Sequence, residues 1–438
     1  MLPALLCVGL LLFQESKPAS RAVAPAPTSR PSFAQVVAEH FPRWDRNADG
    51  TLGADEIDVL CVDPGITGEP AAAAAAIKRI VRSGKYAVPV LTREYLTTPP
   101  PPAPRASSRP AGPASRRAES APASAPARDA DAQDRRDSGE APAGALRPPN
   151  FQASYVASLR RIRTSKRDLF CDDTPDLDHC HQGPLGDCYF VAAVGAFVHR
   201  DSAAVKQMIQ PRPEGGYQVR FADGKTVAVP PLTDAEIALS GTTGDEGLWL
   251  PVLEKALGAW RHQTDPRRYA METATDAIAK GGSSATILRM LTGHQTRQLA
   301  LKRRPRGTVP GPDGKPVPKP PVPAASADEL AVKVRAEVGT ALAQKRLVAC
   351  GTGTEAQPPG ISGKHAYAVL AFDADQDQLT LWNPHGNAFR PRGEPGLAHG
   401  YATQAGVFRI PVRDFVQVFN GVAVETDQPL APVKSGGR

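Results

Sequence analysis

The stretch Gln182-Gly183-Pro184-Leu185-Gly186-Asp187-Cys188-Tyr189-Phe190 decides how the chain is read. A glycine-bearing turn leads into a cysteine. Behind it run Val191, Ala192, Ala193, Val194, Ala196, Phe197 and Val198, the composition of a buried helix. A thiol in the first turn of a helix gains thiolate stability from the macrodipole and the N–H groups left over there. Gln182, six residues upstream, is placed to fold back beside Cys188. Its amide and the Cys188 backbone N–H then form a pocket for an oxyanion. A lone cysteine ahead of an apolar helix is more often structural than reactive. The nucleophile reading therefore needs partners.

The string resembles the calpain active-site signature, with Gln, Gly, Leu-Gly-Asp-Cys and an aromatic in register. The resemblance implies an α+β fold, a two-lobed papain-like cysteine protease core, with a histidine and an asparagine downstream. Gly360-Ile361-Ser362-Gly363-Lys364-His365-Ala366-Tyr367-Ala368-Val369 is similar to the family's histidine segment, which implies His365 as general base. It lies 177 residues beyond Cys188, more than the ~130–150 of papain-like chains. A proline-rich insertion supplies part of the excess. Leu381-Trp382-Asn383-Pro384-His385-Gly386 resembles the asparagine segment, with Asn383 holding the His365 ring. The family usually has Trp where Tyr189 and His385 stand. Trp382 is the candidate to shield the Asn–His bond instead. Trp249-Leu250-Pro251-Val252-Leu253-Glu254-Lys255-Ala256 and Gly281-Gly282-Ser283 before Leu291-Thr292-Gly293 resemble two further family blocks. The likeness runs from about Cys171 to Val424. Asp187 and Glu254 belong to these blocks and are not assigned as calcium ligands.

A second chemistry sits near the N-terminus. Asp45-Arg46-Asn47-Ala48-Asp49-Gly50-Thr51-Leu52-Gly53-Ala54-Asp55-Glu56 fits the twelve-residue EF-hand pattern. Asp45, Asn47 and Asp49 offer alternate oxygens, Gly50 allows the sharp turn, the Thr51 carbonyl follows, and Glu56 closes on a calcium ion. An acidic turn between helices is the plain alternative. Ser83 to Val90 stands where a partner loop would, and Thr92-Arg93-Glu94-Tyr95-Leu96 echoes Ala54-Asp55-Glu56-Ile57. That second hand lacks acidic ligands and reads as degenerate, giving a small all-α EF-hand pair over 32–96.

Composition divides the rest. The chain has 438 residues, 45 of them proline, a formal charge of +7 and six cysteines. Six cysteines exclude a disulfide-dense scaffold. No apolar run is long enough to span a membrane. Residues 97–150 hold 12 prolines and almost no aromatics, the composition of a disordered linker. Residues 302–325 form a basic, Pro-rich loop within the protease domain at 151–426, and 427–438 is a tail. Linker and loop carry the excess positive charge, so the basic balance does not argue for a nucleic-acid partner. The apolar run Leu2–Phe13, within a leader over 1–20, resembles a signal-peptide core and predicts an extracytoplasmic or secreted location, with cytoplasmic as the alternative. Cys171 and Cys180 are either a disulfide or free thiols. A zinc cluster of these with His179, His181 and Cys188 lacks a second Cys/His pair.

The expected protein is a calcium-linked cysteine endopeptidase with Cys188, His365, Asn383 and Gln182 in its site, acting on protein or peptide substrates. The alternative is a calcium-responsive binding or scaffold protein with an inactive protease fold. The ~50-residue linker removes any need for tight coupling between calcium module and protease.

Overall fold

The computed structural model describes residues 30–98, 146–171, 175–303, 307–310, 315–320 and 322–430. The leader and most of the linker and of the tail lie outside these; the described part of the tail, 427–429, completes the last strand. Helices and sheet are mixed, with two hydrophobic cores. Among the described residues no helix is long and apolar enough to cross a membrane.

The N-terminal module has four helices: α1 (Phe33–Trp44), α2 (Ala54–Val62), α3 (Gly68–Ser83) and α4 (Arg93–Thr97). Ser32 caps α1 through a reciprocal capping box with Gln35. Residues 45–53 link α1 to α2. Leu52 N–H donates to Leu91 O at 3.0 Å, and Thr51 bridges Thr92 in antiparallel sense. The loops between α1 and α2 and between α3 and α4 thus meet back to back. Counted forward from the Leu52–Leu91 pair, Tyr95 occupies the position equivalent to Glu56, and Glu94 falls one place short. The sequence echo had aligned Glu94 with Glu56.

The module does not hang on a tether. Its core is continuous with that of the helical lobe. Ala71 to Ala76 on α3 are all 0% exposed, so this helix is covered on every side. A helix buried all round must have neighbours all round. They come from its own module and from the protease lobe: α5 (Phe151–Thr164) and α8 (Asp234–Leu239) pack against it. Six alanines allow that close approach. Phe33 stacks on Phe151 at 5.2 Å. Thr233, the cap of α8, donates through Oγ1 to Cys61 O at 2.6 Å. The Gly68 N–H donates to Asp234 at 2.8 Å. The expectation of loose coupling is therefore corrected: the apolar faces of module and lobe dock on each other.

The helical lobe adds α6 (Cys188–Arg200), α7 (Ser202–Met208), a three-stranded sheet of β1 (Ile209–Pro211), β2 (Tyr217–Arg220) and β3 (Thr226–Val229), and helices α9 (Trp249–Thr264), α10 (Ala274–Ala279) and α11 (Ser284–Thr292). The second lobe is a seven-stranded antiparallel sheet. It contains β4 (His294–Ala300), β9 (Val348–Gly351), β10 (Ala366–Asp373), β11 (Gln378–Trp382), β12 (Thr403–Gln404), β13 (Val407–Pro411) and β14 (Gly421–Pro429), in the order β12-β13-β11-β10-β9-β14-β4. Between β4 and β9 the basic, Pro-rich stretch is not a plain loop. Lys302–Arg303 pair with Val322–Pro323, and within that hairpin Thr308–Pro310 pair with Pro316–Pro318. Proline lacks an N–H, but a two-stranded ribbon leaves every second backbone group outward, where no donor is needed.

Candidate active site

Cys188 opens α6 because the chain turns sharply before it. Gly186 has φ +76°, a conformation that glycine adopts without strain. Asp187 O then accepts from Phe190 N at 2.8 Å and starts the helix. Tyr189 through Val198 are buried, which fixes the axis of α6 in the lobe. Gly195 lies on the face toward the sheet. A Cβ there would overlap the ring of Trp382.

His365 immediately precedes β10 and Asn383 immediately follows β11. These strands are antiparallel with Ala368 opposite Trp382, so the register brings both residues to one end of the sheet. His365 Nε2 and Asn383 Oδ1 are 2.7 Å apart, and the residues are 6% and 1% exposed. The Asn383 amide is fixed in turn: Nδ2 donates to Asn387 at 2.8 Å, and Oδ1 also accepts from the His385 N–H at 3.0 Å. On the backbone side Thr352 holds His365, accepting its N–H at 3.1 Å and donating N–H to its carbonyl at 2.9 Å.

The two lobes meet at Cys188, whose thiol is pulled down by the nearby N–H of Ala366, the residue after His365. Gln182 N–H donates to Pro384 O at 2.8 Å, tying the glutamine loop to the asparagine loop. Turned so that its oxygen faces donors, the Gln182 amide accepts from the N–H groups of Asp187 and Cys188, each at 3.2 Å. Cys188, Gln182, His365 and Asn383 are thus gathered at one junction. Burial pushes the Cys188 thiol above its ordinary range. The N–H groups of Ala366, Tyr189 and Cys188 pull it down, and Asp187 adds repulsion.

Residues 148–392 match the model of the calpain family of cysteine proteases. The chain belongs to that family. No curated protein matches it.

Several features of this calpain-family site escaped the sequence. His385 stacks on His365, ring centroids 4.3 Å apart and planes within 9°. It takes the place expected for Trp382, which is buried against α6 instead. Only the residue's position in the motif hinted at such a role. Asp187 and Glu254 form a fully buried carboxyl pair behind Cys188. Both oxygens of Glu254 accept from Gly241 N–H, at 2.9 and 2.8 Å. Among the described residues no N–H of another residue reaches the Asp187 carboxylate, and Glu254 is the carboxyl beside it. Burial raises Asp187 to about 6 and Glu254 well above its usual range, with mutual repulsion adding to the latter. Their places in two separate motifs gave no sign that they touch.

His179 does not approach Cys188 in a thiol cluster. It turns to Glu246, 3.0 Å away, and to Asp176; ligand atoms of these three lie within 4.8 Å of one another and make a mixed N/O set able to hold a cation. Cys180 and Cys350 are free thiols, so no disulfide joins Cys180 to Cys171. Cys350 is buried in β9, opposite Tyr367.

In the 45–56 loop the oxygens fold onto the loop's own N–H groups. Asp45 accepts from Asp49 and Gly50 at 3.1 and 2.9 Å, and Asn47 from Asp49 at 3.0 Å. Asp49 accepts from Thr51 N at 2.8 Å. Glu56, the buried member, accepts from Arg46 at 2.7 Å and from Gly53 at 2.9 Å. Gly50, at φ +83°, makes the turn. All donors are hard oxygens on one wrapped turn, a set that fits calcium.

Proposed function

We propose that the chain is a calcium-binding cysteine endopeptidase in which Cys188 is the nucleophile, His365 the general base and acid, and Asn383 the residue that orients the imidazole. One observation carries this reading: the 2.7 Å His365 Nε2–Asn383 Oδ1 bond, next to the Ala366–Cys188 contact. With Nε2 engaged, Nδ1 is the ring atom turned to the opposite side, where proton exchange with a thiol is required. Burial raises the Cys188 thiol; transfer of its proton to His365, favoured by the helix N-terminus, gives the thiolate–imidazolium pair that attacks. Attack on the peptide carbonyl forms the C–S bond and an oxyanion. His365 then protonates the departing amine, and water releases the acyl group. A substrate carbonyl must displace the Gln182 oxygen from the Cys188 N–H, after which that N–H and the Gln182 amide face the oxyanion.

Asp45, Asn47, Asp49, the Thr51 carbonyl and Glu56 are the residues that would hold calcium, which supplies a rigid oxygen-bound cross-link between α1 and α2. The back-to-back contact with the 84–92 loop supports an EF-hand pair with one binding member. Tyr95 in place of a closing carboxylate supports degeneracy of the other.

Cys188→Ala should abolish hydrolysis of unfolded casein while thermal unfolding stays unchanged. Activity that persists in the variant overturns the assignment. The raised thiol gives some ground to a second reading, a calcium-responsive scaffold with an inactive site. Alkylation at pH 6 separates the two: a working Cys188 reacts quickly and an inert one does not.

A further inference from the structure

Lys78 belongs to the N-terminal module, yet its charge is settled partly in the catalytic lobe. Its ammonium is buried, at 1% exposure for the residue. It donates to Asp58 on α2 at 2.7 Å, to Asp276 on α10 at 2.7 Å, and to Thr273 at 3.4 Å. Arg82, one turn along α3, holds the other Asp276 oxygen at 2.8 Å. A buried charge set of this kind tolerates the loss of one partner poorly, because the remaining charge is left without compensation.

Both acceptors lead somewhere. Asp276 lies in α10, whose last carbonyls form the wall behind the residue after Cys188. Tyr189 Oη donates to Ile278 O at 2.9 Å. Arg261 donates to Ala277 O at 2.6 Å and Gly281 O at 2.8 Å, and lies over the Tyr189 ring. A Cβ at Gly282 would overlap both Tyr189 and Arg261, so this wall has no slack. In the other direction, Asp58 is two residues beyond Glu56 on the same helix. Glu56 must give up the N–H groups of Arg46 and Gly53 to close on an ion. Asp58 rides on the helix that Glu56 begins.

Resting on the reading of Cys188 as nucleophile and of 45–56 as a calcium loop, we propose that Lys78 is a positioning residue that transmits occupancy of that loop to Cys188 through Asp276 and Tyr189. One ammonium serves two carboxylates. A change in the share taken by Asp58 changes the hold on Asp276, and with it the wall against which Tyr189 rests. The coupling is a free energy between two sites and is therefore reciprocal.

The test uses the full chain and a peptide aldehyde, which adds reversibly to a reactive thiol. Aldehyde affinity is measured with calcium and with chelator, and calcium affinity with and without aldehyde. Coupling energies of ordinary size correspond to about 5–150-fold, so each ligand should tighten the other by the same factor, roughly tenfold. Lys78→Met should still bind calcium but lose both factors, and Lys78→Arg should restore most of them. Asp58→Asn cuts the relay on the module side alone, and it decides the matter if Lys78→Met fails to fold. Two wild-type affinities that ignore each other overturn the proposal, as does full coupling in both Lys78→Met and Asp58→Asn. So does coupling that survives Glu56→Gln. A wild type that binds no calcium, or no aldehyde, overturns it by removing the loop or the nucleophile reading, and the two failures are told apart by which ligand fails to bind.

Discussion

His385 shows how one side chain can substitute for another by shape. A flat ring over His365 limits how far the imidazole can swing about its bond to Asn383. Ring stacking contributes about 0.5–1.5 kcal/mol. His385→Ala should therefore lower kcat roughly 2- to 13-fold with KM little changed. His385→Phe should restore it, since it returns a flat ring without ionisable nitrogens. Equal losses in both variants, read from steady-state kinetics, would mean that the imidazole's chemistry and not its plane is what matters. Cys188, His365 and Asn383 each lie in a short local word, so the sequence alone names them as candidates, and the structure brings Gln182, Cys188, His365 and Asn383 to one junction. The His385 stack was not legible in the sequence, because stacking depends on how two strand ends are registered and not on either word alone.

At the level of elements, the contact between α6 and the sheet is what links Cys188 to His365. It rests on Gly195, where any side chain meets Trp382. Alanine is the better helix former by about 1 kcal/mol, yet overpacking costs about 1–3 kcal/mol. Gly195→Ala should then destabilise the protein on balance, and it should also lower kcat, because Trp382 directly precedes Asn383. A stabilised variant in denaturant melts would show that Trp382 yields freely. Elements were read unevenly for physical reasons. The apolar run after Cys188 has one interpretation. The prolines of 302–323 read as a loop, since proline is poor in sheets, but a ribbon pairs around them. The run Ala71–Ala76 reads as a good helix and says nothing of what lies on its faces. Small side chains permit close approach by any partner.

For the molecule as a whole, the buried Asp187–Glu254 pair should shape stability against pH. Asp187 titrates at about 6 when folded, against 3.8 ordinarily. The folded state therefore binds more protons than the unfolded state between these values, and the contribution of this group to stability falls as pH rises through that window. Below it the contribution is fully present. Asp187→Asn should flatten the Tm–pH curve between about pH 4 and 6 relative to wild type. Parallel curves for the two proteins would place the proton elsewhere. The basic net charge, conspicuous in the composition, plays no part at this junction.

The all-round burial of α3 also bears on how the protein is made. The module leaves the ribosome first, with its alanine face uncovered. Its covering helix α8 follows about 150 residues later, and the Asp276 partner of Lys78 only after nearly two hundred. At ~5–20 residues per second that is a wait of about 10–40 s. During that interval Lys78 has Asp58 alone for company, and the nascent module is a client for any chaperone that recognises small apolar surfaces. Translation rate along 84–276 is thus a determinant of yield, and slowing codons placed there should send more of the chain into aggregates.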